Sequence, residues 1–151
     1  MCVEKTPWEL VTEFHGHTCP GIALGYRLAQ IAQRELGIRP TVEAETIVKA
    51  HTLSCAVDAF QVLNKATTGR RCLIIEENDQ HVYEFHYTGT QEIHRFTITP
   101  AVLERLLLPN NPELSPRERQ NKTLECVQYI LTLPETEFCQ YEKLSGALTK
   151  V

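Results

Sequence analysis

Two histidines and a cysteine lie within five residues of one another near the start of the chain. His15, His17 and Cys19 offer two imidazole nitrogens and a thiol, the ligand types that zinc and related metals prefer. Pro20 suits the first position of a helix, so Cys19 is predicted to be the N-cap residue. The unpaired amides and the positive end of the helix dipole favour a thiolate there, which is the form that binds metal or attacks an electrophile.

A second segment with suitable side chains follows a predicted strand. Thr52 is predicted to cap another helix, which places Cys55 in its first turn and Asp58 further along the same edge. If the two helix starts meet, His17, Cys19 and Cys55 supply one nitrogen and two sulfur ligands and leave a fourth position open on a divalent metal. Zinc is the expected ion, with nickel or iron as alternatives, because ligand type alone seldom decides the metal.

The remaining polar residues of these segments have open roles. His15 and Asp58 are the candidate catalytic residues, and either could instead be a fourth ligand or orient a ligand. A metal-free thiol at Cys19 or Cys55 is a second hypothesis, with redox or nucleophilic chemistry. A non-catalytic assembly role is the third, so the residues alone do not decide whether the protein is an enzyme.

A small basic turn over residues 67–71 is a candidate anion site. A backbone nest supported by Thr67 and Arg70 could hold a carboxylate or a phosphate. A solvated turn is the alternative interpretation.

The bulk properties restrict the class of protein. The chain has 151 residues, 42% of them hydrophobic, and a formal net charge of −4, which suits one domain over residues 1–151 with a real core and no nucleic-acid partner. No apolar run is long enough to span a bilayer, and the first residues lack a signal-peptide pattern, so we expect a cytoplasmic protein. The six cysteines include no Cys-x-x-Cys pair, which argues against a zinc ribbon or a thioredoxin-type dithiol.

The periodicity of the chain predicts an α+β fold with a sheet of four or five strands flanked by helices. The last 18 or so residues are ambiguous. The strands near 72–77, 81–87 and 92–99 are predicted to form an antiparallel meander with exposed histidines. The other predicted elements are helices over about 7–14, 20–36, 52–64, 100–107 and 116–131, and a strand over 42–48.

Two motifs resemble those of the formylmethanofuran dehydrogenase E-subunit family. The sequence HGHTCPG at 15–21, followed by ALGYR at 23–27, is similar to the opening motif of that family, and CAVDAFQVL at 55–63 is similar to its second motif. The similarity covers about residues 14–87. The family's usual cysteine after the second motif is Ala66 here, and the chain has no paired cysteines for the C-terminal zinc finger that several relatives carry.

The resemblance implies a thioredoxin-like core with a mixed sheet, and a metal site onto which His17, Cys19 and Cys55 map. Some members belong to a molybdenum or tungsten enzyme of anaerobic methane metabolism, so it also implies a larger oxidoreductase complex as a partner. Exposed sheet edges independently predict a homodimer.

Overall fold

The computed structural model describes residues 4–37 and 43–150. Within these residues the helices are α1 (Pro7–His15), α2 (Pro20–Leu36), α3 (Ala56–Leu63), α4 (Pro100–Leu107), α5 (Pro116–Thr132) and α6 (Glu135–Phe138), with a 3₁₀ turn at Leu108–Asn110. The strands are β1 (Thr46–Ala50), β2 (Leu73–Ile75), β3 (Val82–Tyr87), β4 (Glu92–Ile98) and β5 (Cys139–Ser145). They form one sheet in the order β2-β1-β3-β4-β5, with β1 and β2 parallel and the other pairs antiparallel. The α+β class and the mixed sheet flanked by helices are confirmed. None of the helices in these residues is both long and apolar enough to cross a membrane.

Short-range capping sets where the major helices begin. Thr6 accepts a hydrogen bond from the backbone N–H of Glu9 at the start of α1. Cys19 caps α2 through its sulfur, and Ser115 forms a full capping box with Glu118 at the start of α5. These residues satisfy amides that have no partner within the helix, which is why the sequence alone predicted all three starts.

The core lies between the sheet and the helices α2 and α3. Phe60 of α3 makes edge-to-face contacts with Tyr83 and Phe85 of β3 at 5.3 and 5.1 Å, and Phe85 meets Phe96 of β4 at 5.6 Å. All four rings are fully buried. Helix α2 covers the same face of the sheet, and α5 packs against α2, so the starts of α2 and α3 are both held on a rigid support.

The predicted meander is wrong for its first strand. β2 does not pair with β3; it lies at the edge of the sheet, parallel to β1, and β1 separates it from β3. The reason is the helix between β1 and β2, because a strand–helix–strand unit returns the chain in the same direction and favours parallel pairing. The β3–β4 hairpin is present as predicted.

The predicted start of the third helix is also wrong. The helix begins at Ala56 rather than near Thr52, so Cys55 is its N-cap residue and not part of its first turn. The preceding residues bond elsewhere: the Leu53 N–H donates to Glu77 at 2.7 Å. Leu53 is 65% exposed.

Three smaller differences concern the sheet. β1 begins at Thr46, later than predicted, and Val42 of the predicted strand lies outside the described residues. His86 and His94 are buried, not exposed. His94 is paired with Phe85 and shares its face of the sheet. Because successive residues of a strand point to opposite faces, His86 lies on the other face. The ambiguous C-terminal region contains α6 and β5, and β5 completes the sheet beside β4.

Candidate metal centre

The loop that joins α1 to α2 is short and fixed at both ends. Gly16 ends α1 with a left-handed backbone, at φ 98°, and its N–H donates to the Thr12 carbonyl. Cys19 begins α2, and its Sγ accepts a hydrogen bond from the Ile22 N–H at 3.4 Å. The caps therefore hold the two imidazoles and the thiol of this loop close together.

Three potential ligand atoms converge in this loop. One ligand atom from each of His15, His17 and Cys19 lies within 4.8 Å of the other two. The two imidazole rings are stacked, with centroids 4.7 Å apart, and His15 Nε2 lies 3.6 Å from Cys19 Sγ. His15 and Cys19 are half-buried whereas His17 is exposed, so the cluster opens to solvent on the His17 side.

His15 is held from behind by a carboxylate of α3. Its Nδ1 lies 2.7 Å from Asp58 Oδ2, while its Nε2 faces Cys19. An ionised carboxylate only accepts hydrogen bonds, so this contact places a ring proton on Nδ1, and the Nε2 of the neutral ring can then accept a hydrogen bond from the Cys19 thiol. Both candidate catalytic residues thus belong to one hydrogen-bonded chain that ends at the Cys19 sulfur.

Cys55 lies beside the cluster, across the contact between α2 and α3. A Cβ atom placed on Gly21 would be 3.5 Å from Cys55 Sγ and 3.9 Å from Cys19 Sγ. The two sulfurs are therefore no further apart than the sum of these distances. Of the predicted ligand set, His17 and Cys19 lie in the group of three together with His15, and Cys55 lies beside that group but outside it.

The environment of Cys55 stabilises its neutral thiol when no metal is bound. Burial is the main cause that raises the pKa of Cys55 to about 11, and the neighbouring Cys19 contributes to the rise because two adjacent thiolates would repel each other. The position of the residue is set by its neighbour Ser54, whose hydroxyl is 3.0 Å from the buried hydroxyl of Tyr83 and accepts from the Ala56 N–H. Tyr83 thus anchors the start of α3 to the sheet.

Two glycines of α2 make the approach of α3 possible, and the sequence-based interpretation assigned neither a role. A Cβ on Gly25 would lie 2.5 Å from both the Cα and the carbonyl oxygen of Ala56, and one on Gly21 would lie 2.9 Å from Cys55 Cβ. Any side chain at these positions would push the two helices apart. Their four-residue spacing, which places both on one helix face, was the signal that could have identified them.

The match to a known family extends over most of the chain. Residues 14–140 match the family model described as "FmdE, Molybdenum formylmethanofuran dehydrogenase operon". The chain belongs to the FmdE family. The matched region includes the whole candidate centre and reaches beyond the segment near residues 14–87 on which the predicted resemblance rested.

Two similar proteins give this FmdE-family chain its context. A crystal structure of a tungsten formylmethanofuran dehydrogenase FmdE-like protein from Syntrophus aciditrophicus has a TM-score of 0.64 and 20% identity, and the alignment covers 91% of this chain and 69% of that one. It shares the fold. A probable S-adenosyl-L-methionine-binding protein of Archaeoglobus fulgidus is 36% identical over 66 residues. That match spans 41% of this chain and about a fifth of the relative (18%).

The basic turn of this FmdE-family chain is already neutralised in part. The Arg70 guanidinium is 3.1 Å from Glu45 Oε2, and the Arg70 N–H donates to the Thr67 hydroxyl. The Glu45 carboxylate occupies one side of the guanidinium, which reduces the positive charge that an external anion would meet.

The other described cysteines are buried, and none of them belongs to the group of three ligand atoms. Cys72 donates to Glu45 and Cys126 donates to the Arg105 carbonyl, while burial raises the pKa of Cys139 to about 11. They have the environments of structural thiols.

Proposed function

We propose that this chain is a metal-binding FmdE-family domain that holds one divalent ion, zinc first, at the loop between α1 and α2. The observation that carries the proposal is the convergence of three ligand atoms, from His15, His17 and Cys19, within 4.8 Å. Two nitrogens and a sulfur suit zinc, and nickel or iron are the alternatives.

The contacts around the cluster fit a metal site in two further ways. A ligating histidine usually donates its second ring N–H to a carboxylate, and Asp58 is 2.7 Å from His15 Nδ1. Ligand atoms around a tetrahedral zinc ion lie about 3.5 Å apart, so the three atoms need to move inwards by about 1 Å. The exposed His17 ring has the freedom to do so.

Cys55 takes the fourth position in this proposal, and it is the exchangeable one. It lies across the helix contact and outside the group of three. A thiol that yields its position to water or substrate keeps the open coordination that catalytic zinc sites have. A metal bound there would polarise a carbonyl or activate a water molecule.

Elemental analysis of protein purified without a histidine tag tests the proposal. We expect about one ion per chain in the wild type and less than about a tenth of an ion per chain in Cys19→Ser. In Cys55→Ser we expect the metal to remain bound, with a lower affinity. Cys126→Ser is the matched control, because its sulfur is buried, donates to the Arg105 carbonyl and is not part of the group of three ligand atoms. Wild-type protein with no metal after reconstitution, or equal loss in the control, contradicts the proposal.

A second candidate function has a specific observation behind it. Asp58, His15 and Cys19 form a hydrogen-bonded chain with contacts of 2.7 and 3.6 Å, the arrangement in which a histidine activates a cysteine nucleophile. If the protein acts without metal, Cys19 in metal-free protein should react with iodoacetamide faster in the wild type than in His15→Gln. Equal rates of Cys19 alkylation in the two proteins would rule this function out.

The partner assignments rest on the family and on the sheet. The family's description names a formylmethanofuran dehydrogenase operon, which supports an accessory role in a larger oxidoreductase complex, and the open edges of the sheet support a homodimer. Light scattering of the purified chain tests the homodimer, and copurification from the native host tests the complex. A monomer that copurifies with no other protein would overturn both assignments.

A further inference from the structure

A cleft of about 460 Å³ lies between the ligand loop and helix α5. One wall is Thr18, the residue between His17 and Cys19, and the opposite wall is a face of α5. A volume of this size is in the range of small-molecule sites. The α5 residues that line it are Pro116, Arg119, Gln120, Thr123 and Leu124.

The polar lining of the cleft carries a positive charge that the protein does not neutralise. In residues 4–37 and 43–150, no carboxylate lies within ion-pair distance of Arg119, and no side chain bonds its guanidinium. The nearby Glu118 carboxylate instead accepts from the Ser115 N–H in the capping box. Arg119 is therefore available to an anion, and a guanidinium binds carboxylate and phosphate groups through paired hydrogen bonds.

The rest of the lining is partly apolar. Leu124 is 54% exposed, and Pro116 lies about two turns before it on the same helix. An apolar surface beside the Arg119 cation fits a molecule with one oxyanion group and a hydrocarbon or aromatic body, rather than an inorganic ion.

We propose that this cleft binds a small organic anion as the substrate of the neighbouring centre. Arg119 holds the carboxylate or phosphate group, Leu124 contacts the apolar body, and the reacting end passes Thr18 towards Cys19. The substrate assignment rests on the function proposed above, because Thr18 separates two of its ligand residues. The binding step itself needs no metal.

Titrations followed by amide NMR spectra of the metal-free full-length chain test the proposal. The probes are benzoate, phenyl phosphate and neutral benzamide, which share an aromatic body. We expect both anions to shift the amide signals of Thr18, Arg119 and Gln120, with no shift from benzamide. Arg119→Gln should weaken anion binding about tenfold or more. The matched control is Arg117→Gln, which removes the same charge from the same turn at a position that does not line the cleft.

The outcomes separate the possible explanations. Tighter binding of benzoate than of phenyl phosphate, or the reverse, identifies the oxyanion and supports the proposal either way. Binding of benzamide as tight as that of benzoate, equal loss in the two arginine variants, or shifts confined to other regions overturns it. Because the titration uses metal-free protein, a negative metal analysis leaves this result standing, and failed anion binding leaves the metal analysis standing.

Discussion

Replacing Gly25 with alanine tests whether the contact between α2 and α3 controls the candidate centre. The new Cβ would lie 2.5 Å from both the Cα and the oxygen of Ala56, and 2.9 Å from its carbonyl carbon. Ordinary contacts of this kind begin near 3.4 Å. All three neighbours are backbone atoms of a helix, so no side chain can rotate away and the two helices must separate by about 1 Å.

Two opposing terms set the size of the effect on stability. Overpacking of this kind costs about 1–3 kcal/mol, and occasionally more. Alanine is favoured over glycine within a helix by about 1 kcal/mol, which offsets part of that cost. The difference is about 0–2 kcal/mol, and contacts of 2.5 Å with backbone atoms that cannot rotate away favour its upper end. We therefore expect Gly25→Ala to lower the free energy of unfolding by about 2 kcal/mol, and the melting temperature by several degrees.

The same displacement should weaken metal binding. Ligand distances in a metal site tolerate changes of about 0.2 Å, so a shift of about 1 Å moves Cys55 out of reach of an ion held by Cys19. Urea unfolding of metal-free protein and chelator competition of the zinc form measure the two effects separately. Gly69→Ala is the control, since a Cβ there meets nothing within 4 Å. If Gly25→Ala unfolds at the same urea concentration as the wild type, the steric reasoning is refuted.

Three further variants test other parts of the structure. Asp58→Asn removes the charge that orients His15, so chelator competition should show zinc affinity reduced about 10–100-fold with an unchanged circular dichroism spectrum; an unchanged affinity would exclude this role. Tyr83→Phe removes a buried hydroxyl that is 3.0 Å from Ser54, and denaturant unfolding should show a loss of about 1–2 kcal/mol. Burial raises the pKa of Cys139 from 9.0 to about 11, so the folded state keeps a proton that the unfolded state loses. The contribution of this thiol to stability is full below pH 9 and falls by about 2–3 kcal/mol as the pH rises to about 11. This fall should be absent from the pH dependence of the free energy of unfolding of Cys139→Ala. Identical pH profiles of the variant and the wild type would contradict the assignment.

Local chemistry explains why so much of the helical structure could be predicted. The starts of α1, α2 and α5 depend on residues within three positions of the cap, and the structure has them where the sequence indicated. The start of α3 depends instead on Glu77 and Tyr83, which are more than 20 residues away along the chain. A cap at Thr52 was a reasonable local prediction that tertiary hydrogen bonds overrode.

The candidate centre likewise combines local features that the sequence predicts with a tertiary contact that it does not. The donor types and the loop that carries His15 and Cys19 follow from the sequence, because the capping residues and the donor residues lie within the same few positions of the chain. The nearness of Cys55 could be expected only from the family resemblance, since it depends on the packing of two helices. The role of Gly25 in that packing is a matter of volume, which hydrophobic periodicity does not report.

The placement of the donors along the chain has a consequence for the order of assembly. Three of them come from one short segment, so bringing them together closes only a very small loop and costs little chain entropy. The fourth, Cys55, arrives only after the helices dock. If the proposed ion binds, its early capture by the segment would make it a template for docking, and metal supply during synthesis would influence the yield of native protein.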